Sequence, residues 1–142
     1  MAVRVLIVDD HAPFRALARM LLVADGFEVV GEAGDGVDGL RAAVRLRPDV
    51  VLLDVQLHGR AGSGCAESGG DGFDVAESLA THAPPPAVVL VSSRSRGDYG
   101  LRVAASPARG FIAKAELSGA TLRAVLDEED NSAVEAGGRA DD

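Results

Sequence analysis

Five short aliphatic runs divide the chain: VLIV from Val5, FEVV from Phe27, VVLL from Val50, VVLV from Val88 and GFIA from Gly110. Four of them are near-continuous rather than alternating, the pattern of strands covered on both faces, as in a parallel sheet between helices. Between the runs, apolar residues recur at helical spacing: Phe14, Leu17, Ala18 and Leu21; Val37, Leu40 and Val44; Phe73, Ala76 and Leu79; Leu122, Val125 and Leu126. Residues 98–105 give a weaker helix, with Leu101, Ala104 and Ala105 as its apolar face. Pro13 suits a first helical turn after Asp10 or His11, and Ser118 suits an N-cap. Strand then helix, five times over, predicts an α/β fold with a doubly wound, five-stranded parallel sheet.

A chain of 142 residues, about half of them apolar, can bury one core and fits one domain. Strand starts are separated by 22, 23, 38 and 22 residues, so the third connection is overlong. It holds HGRAGSGCAESGGDG, an inserted loop over about residues 59–70. Net charge is −8, of which the seven acids and one arginine of residues 127–142 carry −6. That segment reads as a disordered, solvating tail beyond a domain of residues 1–126. The remainder, at −2, has neither the basic face nor the positive charge of a nucleic-acid binder, so direct nucleic-acid contact is not expected. No apolar run approaches the roughly 20 residues that span a bilayer. The first nine residues read as a strand rather than a signal peptide. With Cys65 as the lone cysteine, a soluble protein of the cytoplasm is expected.

In open α/β sheets, ligands sit beyond the carboxyl ends of the strands. Here those ends carry Asp9 and Asp10, Asp54, Ser92 and Ser93, and Lys114. Three carboxylates on one low-dielectric rim repel one another, which raises their pKa values or recruits a hard divalent cation. Mg²⁺ suits a shallow rim, since it takes one or two carboxylates, keeps several waters and shares phosphate oxygens. A carboxylate can also attack phosphorus to form an aspartyl phosphate, and Asp54 is best placed for that. Lys114 is the one lysine beside thirteen arginines, a compact point charge of the kind that meets a phosphoryl oxygen.

DD after the first strand, LLDVQL at the third, VLVSS at the fourth and GFIAK at the fifth resemble the receiver domain of two-component response regulators, the CheY-like fold. The resemblance covers residues 3 to about 126. It implies a flavodoxin-like (βα)5 architecture with strand order 2-1-3-4-5. It also implies Asp54 as phosphoacceptor, and Asp9, Asp10, Asp54 and the backbone carbonyl of Gln56 as ligands of Mg²⁺ or Mn²⁺. Lys114 corresponds to the lysine that pairs with the phosphoryl group, Ser92 to the hydroxyl residue that moves toward it, and Phe111 to the switch aromatic. Ser93 is expected to contact phosphate. The implied partners are a sensor histidine kinase or phosphotransfer protein, and a downstream protein or a second copy docking on helix four, strand five and helix five. The chain is then a phosphoacceptor rather than an enzyme. With no second apolar periodic region after Leu126, it reads as a stand-alone receiver or a truncated member. His58 and Ala115 stand where the family often has proline, which leaves a cis bond after Lys114 in doubt, since without proline it costs about 2.5–4 kcal/mol. The insertion is expected to alter access to Asp54.

Gly34 to Gly39, GDGVDG, fits a dinucleotide fingerprint, but Asp35 and Asp38 would set negative charge where a pyrophosphate must lie, and helix capping explains them better. His11 and His58 read as loop residues, and Cys65 as an unreactive thiol. Two rival functions remain: a phosphate-insensitive pseudo-receiver, and a haloacid-dehalogenase-like phosphatase, whose D-x-D spacing is not matched because His11 stands two positions after Asp9.

Overall fold

The computed structural model describes residues 2–57, 72–94, 96–99 and 101–127. His58, Cys65, the insertion and the acidic segment beyond Asp127 lie outside the described residues. Strands β1 (Arg4–Val8), β2 (Glu28–Ala33), β3 (Val50–Asp54), β4 (Ala87–Ser92) and β5 (Gly110–Ala113) form one sheet in the order β2-β1-β3-β4-β5. Every pairing is parallel. Helices α1 (Ala12–Ala24), α2 (Gly36–Leu46), α3 (Gly72–Leu79), α4 (Leu101–Ala105) and α5 (119–127) follow their strands in turn. The flavodoxin-like architecture inferred from the sequence is the one observed. None of the described helices is long and apolar enough to cross a membrane.

Successive side chains on a strand point to opposite faces. Val5, Ile7, Val50, Leu52, Val89 and Val91 therefore enter one core with Phe14, Ala18 and Leu22 of α1 and Leu122 of α5. Leu6, Val8, Val51, Leu53, Val88 and Leu90 enter the other, with Ala42 and Ala43 of α2, Phe73, Ala76 and Leu79 of α3, and Val103 of α4. With both faces covered, strands β1 and β3 have no polar side to show, hence their unbroken aliphatic runs.

The helix faces depart from the expected ones. On α1, Leu22 is buried, Leu21 only partly so, and Leu17 is 46% exposed. On α2, Val37 and Val44 face outward, and the helix lies on the sheet through Gly36, Gly39, Ala42 and Ala43. A Cβ on Gly39 would come within 2.9 Å of Val8 Cγ1, so close approach selects the small residues over the more apolar ones. The weak fourth helix starts later than expected, after a 3-10 turn at Arg96–Tyr99, and buries Val103 while Leu101 stands 83% exposed. The capping residues behave as read: Pro13 lies in the first turn of α1, Asp35 accepts from the Asp38 N–H at 2.8 Å, and Ser118 accepts from the Thr121 N–H at 3.0 Å. Among the described residues the cis peptide is Ala83–Pro84, so the bond after Lys114 is trans.

Gly72 joins α3 to the end of β3. Its N–H donates to the Val55 carbonyl at 2.7 Å, and a Cβ there would strike the Asp54 carbonyl oxygen and lie 2.8 Å from Val55 Cα. Backbone cannot yield as a flexible side chain can. Gly72→Ala is expected to lower stability by about 1–3 kcal/mol through overpacking, despite the roughly 1 kcal/mol gained in helix propensity. Urea unfolding checks this, and a midpoint equal to or above that of the unmodified protein would count against the account.

Candidate functional site

Parallel strands deliver their terminal residues to one rim, and adjacent β1 and β3 place Asp9, Asp10 and Asp54 together there. Each carboxylate offers an oxygen within 4.8 Å of the other two. Asp9 is fully buried, Asp54 is 3% exposed and Asp10 faces solvent. Lys114 reaches across from the end of β5, with Nζ 2.7 Å from Asp9 Oδ2 and 3.5 Å from Asp54 Oδ2. The first and last strand ends thus meet at one charge cluster.

The sequence leaves each acid a distinct role. Asp9 Oδ1 accepts from the His11 N–H at 2.8 Å, which turns the chain into α1. No hydrogen bond of ordinary geometry reaches its buried Oδ2 among the described residues, so that oxygen depends on the charge of Lys114. Arg15 steadies the same turn by donating from Nη1 to the Asp9 carbonyl at 2.6 Å, while its Nε meets Glu32 at 3.2 Å. Arg19 donates to the other Glu32 oxygen at 2.8 Å. Chiefly through Arg19, the two arginines hold the Glu32 carboxyl below its ordinary range.

Burial pushes the Asp54 carboxyl up to about 6, and repulsion from Asp9 adds to the rise, as does Asp10 to a lesser degree. Lys114 and the Gln56 N–H, which donates to Asp54 Oδ1 at 3.1 Å, act in the opposite direction. A cavity of about 510 Å³ opens over these groups, lined in part by Asp10, Asp54, Gln56, Ser93 and Lys114. Hard oxygen donors from three clustered carboxylates that share one ammonium fit a divalent cation.

Ser92 is placed differently. It is fully buried and, unlike Ser93, is not among the described residues that line the cavity. A hydrogen bond of 2.5 Å joins the Ser92 and Tyr99 hydroxyls, and Ser92 Oγ accepts from the Arg94 N–H at 3.0 Å. Phe111 is half-buried on β5, its ring 5.9 Å from that of Tyr99. His11 lines the cavity at the start of α1.

Two side chains escaped the sequence reading. Phe14, assigned only to the core, also lies under Lys114, whose Nζ is 4.6 Å from the ring centroid. Tyr99 had no motif to mark it beyond being the chain's one tyrosine. The GDGVDG decoy serves as helix capping, with Asp35 at the N-cap of α2.

The family model described as the response regulator receiver domain matches residues 5–127. A protein-glutamate methylesterase/protein-glutamine glutaminase of Anaeromyxobacter dehalogenans is 42% identical over 117 residues, covering 82% of this chain and 30% of the relative. The BvgA transcription regulator of Bordetella pertussis is 33% identical over 113 residues, covering 80% of this chain and 49% of the relative. The chain therefore spans less than half the length of either. Among solved structures, the signal receiver domain of a putative NarL response regulator from Mycobacterium tuberculosis superposes with a TM-score of 0.73 at 31% identity, covering 91% of this chain and 97% of that one.

Because its folded value lies above the ordinary carboxylate value of 3.8, Asp54 favours the fold most when protonated. That contribution is complete below about pH 4 and is lost as pH rises through about 6. Asp54→Asn removes the titration while leaving an oxygen for the Gln56 N–H. Its stability relative to the unmodified protein is expected to climb across this interval, by at most about 3 kcal/mol, and to level off above it. Urea unfolding at several pH values without divalent metal checks this; a difference that stays constant with pH would contradict it.

Proposed function

Since the chain belongs to the response regulator receiver domain family, whose members are regulatory phosphoacceptors rather than enzymes, we propose that Asp54 accepts a phosphoryl group in a two-component phosphorelay. The observation that carries this is the buried Asp54 carboxylate, facing the cavity with the Lys114 ammonium 3.5 Å from its Oδ2 and two further acids beside it. An Asp54 oxygen attacks phosphorus and forms the acyl phosphate bond. The bond to the donor breaks, either to the phosphohistidine nitrogen of a sensor histidine kinase or phosphotransfer protein or to the oxygen of a small acyl phosphate. The chain contributes placement and charge neutralisation.

Asp9, Asp10, Asp54 and the Gln56 backbone carbonyl would hold Mg²⁺ or Mn²⁺, which when bound supplies positive charge against the phosphoryl oxygens. Lys114 stays paired with Asp9 and extends toward a phosphoryl oxygen, and Ser93 contacts phosphate from the cavity wall. Ser92 turns to donate its hydroxyl proton to the phosphoryl group, and Phe111 follows into the vacated space. Phosphorylation then shifts the population between two packings of α4, β5 and α5. The exposure of Leu101 supports that face as the place where a downstream protein or a second copy docks. Such a domain comprises residues 1–126, with 127–142 as its acidic tail, and acts in the cytoplasm without touching nucleic acid.

Intact mass after treatment with a small acyl phosphate tests the proposal. One added phosphoryl group is expected with Mg²⁺, little or none without it, and none in Asp54→Asn under either condition. Labelling that persists in Asp54→Asn, or no labelling of the unmodified protein with Mg²⁺ and with Mn²⁺, would defeat it.

A further inference from the structure

Resting on the phosphoacceptor reading, we propose that Tyr99 is a positioning residue for the reaction at Asp54: its hydroxyl holds Ser92 away from the cavity, and phosphorylation exchanges this bond for one to the phosphoryl group. The Ser92 side chain is buried and hydrogen-bonded to Tyr99 Oη at 2.5 Å, while its neighbour Ser93 lines the cavity. Ser92 Oγ also accepts from the Arg94 N–H, so its oxygen is engaged on the protein side. Either hydroxyl can donate in the Ser92–Tyr99 bond, and in either case Ser92 Oγ is held against Tyr99 rather than at the cavity wall. Turning it to a phosphoryl oxygen requires leaving the present geometry, and Tyr99 loses its partner when that happens.

Phe111 has no hydroxyl and cannot form this bond. It forms one wall around the phenol instead, with its ring 5.9 Å from Tyr99, and Phe73 of α3 forms another at 5.8 Å in an edge contact. Tyr99 thereby touches material from α3, β4 and β5 at once. It also closes the 3-10 turn Arg96–Tyr99, two residues before α4 begins at Leu101. Val103 is the one buried residue of α4, so little packing resists a displacement passed on by the turn.

Because the bond exists only while Ser92 faces away from Asp54, it favours the resting state, and its removal must shift the population toward the other state. Tyr99→Phe deletes the hydroxyl and keeps both ring contacts. With Mg²⁺ present, the variant is expected to bind beryllofluoride, a tetrahedral phosphoryl mimic, about three- to tenfold more tightly, the usual net worth of one hydrogen bond. Its affinity for Mg²⁺ alone should not change, and in a Ser92→Ala background Tyr99→Phe should have no effect.

The chain has one tyrosine and no tryptophan, so its intrinsic emission reports Tyr99 itself. That emission should change when beryllofluoride and Mg²⁺ are added to the unmodified protein, and should stay constant in Asp54→Asn. This readout stands whether or not Tyr99→Phe folds. Acyl-phosphate labelling of Asp54 with no change in Tyr99 emission would overturn the inference and leave the phosphoacceptor reading intact. Equal or weaker beryllofluoride binding by a folded Tyr99→Phe would do the same. Absence of labelling in the unmodified protein would overturn both.

Discussion

Ending two adjacent central strands in carboxylates obliges the fold to bring positive charge to the same place. Asp9 and Asp54 lie at the ends of β1 and β3, are almost wholly removed from water and repel each other through a medium that screens poorly. One ammonium relieves this. Lys114 sits at the end of β5, two strands away from β3, and spans the gap with its ammonium over the Phe14 ring. The relief is incomplete, since the Asp54 carboxyl remains well above its ordinary value. The remaining deficit of positive charge is what a divalent cation would offset, and the proposed phosphoryl transfer would draw on the same electrostatics.

This arrangement explains why so much of the site was legible in the sequence. A parallel sheet brings all its strand ends to one edge, so finding Asp9, Asp10, Asp54 and Lys114 each directly after an aliphatic run was enough to predict that they meet. Their identity carried the chemistry, and the topology carried the geometry. Ser92 met the first condition and not the second. It lies at a strand end, yet its hydroxyl faces Tyr99, and strand position does not set a side-chain rotamer. Tyr99 itself was invisible because its role depends on how the 3-10 turn folds back over β4, which no period or spacing encodes.

The core was legible on the strands and less so on the helices, for a related reason. A strand buried on both faces must be apolar throughout, so its composition is its signal. A helix contacts the sheet along one stripe, and the best stripe is set by fit as well as by hydropathy. On α2 the fit favours Gly39 and Ala43, which let the helix sit close above Val8, and Val37 and Val44 are left outside. On α4 Val103 is the buried residue and Leu101, at the first position of the helix, is left exposed.

Those differences in packing divide the molecule into a part that holds and a part that can move. Strands β1 and β3, with nearly every side chain buried, fix the acidic residues, and Arg15 ties the β1–α1 turn to β2 through Glu32. Catalytic placement needs that rigidity. Beyond β4 the anchoring thins: α4 has five residues and one buried side chain, and the turn before it is held by a phenol between two other rings and one hydrogen bond. Elements with few buried contacts open at the lowest cost. Under the proposed phosphorylation, a charge change at the rigid end would have its least costly outlet at α4, where the most exposed large apolar side chain of the described residues, Leu101, faces solvent. Scaffold and surface are separated by burial: the strands with nearly every side chain buried hold the acidic cluster, and the helix with one buried side chain carries the exposed Leu101.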